Sequence, residues 1–468
     1  MFNRKPHTIP MKQPSWLRRL SPITVIYAIA IPLCLLFIYR IGYLICPDTK
    51  TYFDALISLQ NGGIDQWRTP VYPLFLGCIE FVLGDQIQFV VTSVFDIPQG
   101  VPIYFEQITG SDSSLVAYSV VGIQFIVFLV SLFYFYKIAR LLTRSERGSV
   151  VFTLLYLFAI LISEANNCLI TESFSLSAII FFLYSFVQSI KKDSNSYAIA
   201  VLFWSLFLVF LRPSFLYIPC CALFIGLCLL FAKKYRRAAF KNIVVSCITI
   251  LAMSVYCCQF KNVYGVFSPT SVSVINQYWI ASQDGIIDPN EITDNALRTD
   301  VQDLPKPRGE GKKWLIKRHG AEKINSMVAN ANELNREQYL KNIWKRFKTA
   351  SGNSMIHCTN DTVIFYLIQQ AIGVELRLEI FMMLLYVVLI FYWRKSRPNE
   401  ELFYLILIVL LSASNWIVSV LGAPNDFSRL LMANVPLFFL LAADLVIRFS
   451  QHVAWRKRKN QAKVAADQ

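Results

Sequence analysis

Eight charged side chains in this sequence stand beside long apolar runs, where a charge is costly unless it has a task. They are Asp48, Lys50, Arg68, Glu164, Glu172, Arg212, Asp426 and Arg429. A carboxylate can take the proton of a hydroxyl as its oxygen attacks. Arginine holds phosphate through charge-assisted, often two-pronged hydrogen bonds, and steadies charge growing on a phosphate leaving group. These residue types together suit transfer of a group from a phosphate to a hydroxyl. Asp48 is the candidate catalytic base. Arg68, Arg212, Arg429, Lys50, Glu172 and Tyr72 are the candidate donor-binding set.

The elements that must position them are membrane helices. The chain has 468 residues, 55% hydrophobic and 16% charged, against roughly 25% charged in a soluble domain. A helix needs about 20 apolar residues to span a bilayer. Ten segments are read as spans, at 22–45, 115–136, 149–163, 168–190, 197–211, 214–232, 243–260, 374–393, 402–421 and 431–447, the third and fifth of them short. The first run is too long for the apolar core of a signal peptide, and no small-residue cleavage site follows it. An all-α polytopic membrane protein of about ten transmembrane helices is the expected fold class.

Charge sets the orientation. Lys and Arg crowd segments 1–20, 137–147, 191–192, 233–241, 394–397 and 448–463, which alternate with nearly neutral or acidic stretches. Both termini are therefore expected in the cytoplasm. The net charge of +15 follows this topology and gives no ground for nucleic acid as a partner. Four parts follow: a cytoplasmic tail (1–21), a transmembrane core (22–260) with an outer loop at 46–114, an outer soluble segment (261–373), and C-terminal helices with a basic tail (374–468). In the third part, "REQYLKNIWKRFKTA" puts Tyr339, Ile343, Trp344 and Phe347 on one helical face. That pattern suits a helix on the membrane surface or one packed on its own domain.

With this topology, the eight charged residues fall at the outer face, where scattered ones would divide between the faces. Each has a plainer reading. Glu164 and Glu172 can cap helix ends, and Arg212 can snorkel from a helix terminus. Arg429 can pair with Asp426, and Asp48 can be an ordinary loop residue. Arg40, inside the first span, is expected to face the bundle. Four histidines and eleven cysteines form no metal-ligand spacing, which leaves any divalent metal to carboxylates alone. No cofactor is indicated otherwise.

The stretch "PDTKTYFDAL…GG…WRTPVYPLFLG", from Pro47 to Gly77, resembles the first outer loop of the polytopic GT-C glycosyltransferases. The branch includes the protein mannosyltransferases and the lipid A aminoarabinose transferase. The resembling positions are Asp48, Tyr52, Ala55, Gly62–Gly63 and Arg68–Pro73. "LITESFSLSA" resembles that family's carboxylate-bearing fourth span, "FLRPSFLYIP" its Arg-Pro element, and "NDFSRLLMANVPLFFLLAA" its last span. The order of the four elements is more specific than any one of them. The resemblance implies transfer of a sugar from a polyprenyl-phosphate carrier to a lipid or glycan acceptor on the outer side, and less readily to a protein. Asp48 would be the base and Arg212 a contact for the carrier phosphate. A bacterial inner membrane would be the setting. Many relatives carry Asp-Glu where this chain has Asp48–Thr49, which leaves a divalent metal open.

Two other readings stand beside it. An O-antigen polymerase or ligase also places arginines in outer loops, but needs no base after its first span. A lipid-linked-sugar flippase or transporter needs ionisable groups near mid-membrane, and no internal repeat supports one.

Overall fold

The computed structural model of the chain describes residues 21–46, 48–84, 89–91, 95–96, 102–103, 108–110, 115–303, 309–351, 376–393, 399–422 and 427–466. Asp426, Tyr104 and the Asn360-Asp361-Thr362 sequon lie outside them. Helices dominate. Two short antiparallel pairings, Phe89–Val91 with Ile108–Gly110 and Phe95–Asp96 with Pro102–Ile103, form a ribbon in the first loop.

Each of the ten expected segments overlaps a helix. In chain order these are α1 (Pro22–Ile41), α4 (Leu115–Thr143), α5 (Glu146–Ile162), α6 (Glu172–Lys192), α7 (Asn195–Leu211), α8 (Tyr217–Leu230), α9 (Arg236–Tyr264), α15 (Leu376–Trp393), α16 (Asn399–Gly422) and α18 (Val435–Ala466). Of the expected segments, 42–45 and 168–171 lie outside α1 and α6. Among the described residues, seven helices are long and apolar enough to cross a membrane, and α5, α7 and α15 are not among those seven. Chain chemistry fixes the ends. Pro22 and the Ser21 hydroxyl, which accepts from the Thr24 N–H, open α1. Gly42, at φ 68°, closes it.

The core is built around α6, buried over 94% of its apolar window. It packs on α4, α7, α9 and α18. A helix buried all round must satisfy its own polar groups. Two serines of α6 do so locally: Ser175 donates to the Thr171 carbonyl, and Ser189 to that of Phe186. Arg40 does not face the bundle; it is exposed on α1. In the last turn of α1, its long stem lets the guanidinium reach the interface.

Between these helices lie further elements: α2 (Thr49–Gln60), α3 (Val71–Leu83), α10 (Val272–Gln283), α11 (Asn295–Asp303), α12 (Gly309–His319), α13 (Ala321–Leu334), α14 (Arg336–Ser351) and α17 (Phe427–Leu431). Helices α10 to α13 enclose a separate small core, including Val274, Tyr278, Leu297, Leu315, Ile324 and Val328. The apolar stripe of α14 is divided. Tyr339 packs on this small core, while Ile343 and Phe347 pack on the bundle. Trp344 stays exposed.

Candidate functional site

The site starts where the chain leaves α1. The backbone of Leu44 exchanges hydrogen bonds with the turn between α5 and α6: its N–H donates to Asn167 (2.8 Å), and its carbonyl accepts from Leu169 (3.0 Å). Gln124 of α4 holds the same turn, donating to the carbonyls of Asn166 (2.8 Å) and Cys168 (3.0 Å). The turn is buried throughout, with Glu164 at φ 54° accepting from Asn167 and Cys168 through its backbone carbonyl. Thr49 adds a further strut, its hydroxyl donating to the Leu169 carbonyl and accepting from the Cys46 N–H. These bonds set the start of α2 against the start of α6.

Asp48 stands at the N-cap position of α2, yet its side chain makes no capping bond. It is engaged elsewhere. One carboxylate oxygen lies 2.6 Å from Arg68 and the other 2.9 Å from Arg429. Arg429 reaches Glu172 at 3.4 Å, and Arg212 reaches the same Glu172 oxygen at 3.4 Å. A continuous chain of charges results, running Arg68–Asp48–Arg429–Glu172–Arg212. Glu172 is its deepest member, with 5% of its side chain exposed. Neither the loop reading of Asp48 nor the end-cap reading of Glu172 describes what these carboxylates touch.

Each arginine is positioned by its own element. The Asp65 carboxylate accepts from the N–H groups of Trp67 and Arg68, which fixes the bend before α3. The Arg68 side chain donates from Nε to the Thr51 hydroxyl (2.6 Å) and lies 4.4 Å over the Tyr52 ring. The next residue, Thr69, donates to the Leu211 carbonyl at the end of α7, one residue before Arg212. Arg212 ends α7 in extended backbone, a favourable place for a cation beside a helix C-terminus. Arg429 is carried by the short helix α17.

Burial works against the charged form of Asp48, but the Arg68 and Arg429 guanidiniums outweigh it. They hold its carboxyl well below the usual carboxylate range. A carboxylate so held is a weak base until one arginine turns to another anion.

The structure brings Asp48, Arg68, Arg212, Glu172 and Arg429 together. Lys50 is placed in an exposed ion pair with Asp54, one turn on in α2. Tyr72 is fully buried beneath the cluster, its ring edge-on to Tyr52 and its hydroxyl donating to Gln124. It supports the site without facing it. Thr49, Thr51, Asp65 and Gln124 escaped the sequence reading. Gln124 was the findable one, a lone amide within the run 115–136. Buried Glu379, bonded to the Trp416 indole (2.8 Å), and buried Asp444, bonded to Arg448 (2.8 Å), were also passed over in their apolar runs.

Among the described residues, no group of three His, Cys, Asp or Glu side chains could hold a metal ion. Asp48 and Glu172 are the carboxylates the cluster offers one. No protein-family model matches this chain, and no curated protein matches it in sequence.

Proposed function

We propose that this chain is an integral-membrane glycosyltransferase of about ten helices, moving a sugar from a polyprenyl-phosphate carrier to an acceptor hydroxyl at the outer face. One observation carries the reading: three arginines from distant segments meet two carboxylates in one linked cluster at one end of the bundle. Scattered structural pairs would need no such convergence.

The carrier phosphate competes with Asp48 for Arg68 and Arg429. As an arginine turns to phosphate, the Asp48 carboxylate loses a counter-charge and its proton affinity rises. The acceptor oxygen then attacks the anomeric carbon on the face opposite the phosphate. The carbon–oxygen bond to phosphate breaks, its electron pair leaves with the phosphate, and the hydroxyl proton passes to Asp48. The configuration inverts. Arginines around the leaving phosphate stabilise the charge it gains. Glu172 keeps Arg212 and Arg429 pointed inward. If a divalent metal took part, Asp48 and Glu172 would be the side chains to hold it, and it would supply positive charge to the leaving phosphate.

The lipid that copurifies with the protein tests this reading. Extraction and mass spectrometry should yield a polyprenyl phosphate or its sugar conjugate, lost in a variant with Arg68, Arg212 and Arg429 all changed to glutamine. Bulk phospholipid alone, in equal amount from both proteins, would remove the polyprenyl carrier from the proposal.

A further inference from the structure

A second charged constellation occupies the opposite end of the bundle and plays no part in the chemistry above. There a cavity of about 530 Å³ is lined by Lys137, Arg140 and Arg144 at the end of α4, Lys191 at the end of α6, and Glu401 and Tyr404 of α16. Ile23 of α1 and Leu141 of α4 supply apolar wall. Asp48, Glu172 and Arg429 stand at the other ends of α1, α6 and α16, so a full helix length separates the two sites.

Four cations face one carboxylate here, and that carboxylate is occupied: Glu401 accepts from Arg144 and from Arg448 (2.8 Å). Lys137 stands 3.9 Å over the Phe133 ring, a contact that leaves its ammonium charge in place. Tyr136, only 2% exposed, also lines the cavity. Its hydroxyl lies near Arg140 and makes no hydrogen bond of normal geometry among the described residues. A buried hydroxyl without an acceptor is costly, and an anionic oxygen in the cavity would supply one. The twenty residues before Ser21 carry five bases and no acid, so the preceding chain cannot neutralise this charge. In the sequence, residues 394–397 just before α16 carry three more bases.

The ligand is therefore an anion with several acceptor oxygens, and the setting narrows it. The cavity opens where apolar helices end, with apolar and cationic wall side by side, and α1 exposes Ile31, Leu35 and Leu36 further along its length. Basic pockets between helix ends on the cytoplasmic side suit anionic headgroups. We propose that this cavity binds the phosphate headgroup of an anionic phospholipid, in the leaflet at the basic end of the bundle. Lys137, Arg140 and Lys191 contact the phosphate, Tyr136 donates to it, and Arg144 stays with Glu401 as one wall. The site acts on the lipid by binding alone.

Native mass spectrometry of the full chain tests this, after transfer from nanodiscs of mixed phosphatidylcholine and phosphatidylglycerol. Wild type should retain phosphatidylglycerol in preference to phosphatidylcholine, and less of it as salt rises. Each interfacial cation is worth about a fivefold change in affinity. The triple variant Lys137→Gln, Arg140→Gln, Lys191→Gln should thus lose on the order of a hundred-fold. Should that variant misfold, Arg140→Gln alone should show about the fivefold step. Equal retention of both lipids by wild type, or undiminished phosphatidylglycerol in the variants, overturns the proposal. An excess of inorganic phosphate should not displace the lipid. If it binds the cavity while no lipid preference exists, the site serves free phosphate and the lipid assignment is wrong.

Discussion

At the scale of single residues, Asp48 is both the candidate base and the most strongly ion-paired member of its cluster. Asp48→Asn keeps the volume but cannot accept a proton, so turnover should fall about 10²–10⁴-fold. Donor binding should survive, since the amide no longer competes for Arg68 and Arg429. Near-normal turnover in this variant would take Asp48 out of the chemistry. The pH profile offers an independent check. In the free protein the two arginines hold the carboxyl well below its ordinary range, so the acid limb of kcat/KM should lie below about pH 4. With phosphate on the arginines, the acid limb of kcat should move upward toward the ordinary value. Coincident limbs would mean that the donor does not draw the arginines away. Arg212 is judged by Arg212→Lys, which keeps the charge and loses the planar fork. Donor affinity and turnover should both fall, because the leaving phosphate gains charge during transfer. A lysine variant with wild-type affinity and rate would mark Arg212 as a snorkelling residue.

At the scale of elements, the site depends on a buried turn that bears no catalytic group. Gln124 ties α4 to the Asn166 and Cys168 carbonyls and accepts from Tyr72. Gln124→Met fills the space but leaves those groups without their partner, at about 1–3 kcal/mol for each buried group left unsatisfied. The detergent-solubilised variant should melt earlier and bind donor more weakly, although no charge has changed. An unaltered melting temperature would show that the Leu44 strap and Thr49 hold the turn without Gln124. The small core of α10 to α13 has a related role. Trp67 packs against it, and the Ser271 N–H donates to the Gln66 carbonyl. The residue next to Arg68 is thus anchored in a different part of the chain.

At the scale of the whole molecule, the two charged constellations require opposite faces. Single cysteines placed at 48 and 313 in a cysteine-free background should react with an impermeant reagent from outside. A cysteine at 457 should react only after the membrane is opened. Labelling of position 457 from outside would make the number of crossings odd and overturn this topology.

The sequence by itself determined the helices and the ends at which charge gathers, because both follow from local composition. An apolar run of span length and a basic flank are readable without knowing what they touch. For the same reason Asp48, Arg68, Glu172, Arg212 and Arg429 could be gathered from five separate segments. What composition cannot express is which partner each finds. Only the tertiary structure set Asp48 between Arg68 and Arg429, turned Lys50 outward to Asp54 and buried Tyr72 beneath the site. It likewise left Arg40 on the surface and divided the α14 stripe between two cores. The distinction is physical. Hydropathy is a property of each segment, whereas an ion pair needs two segments at a few ångströms, a distance fixed here by the buried turn before α6 and the strap from Leu44.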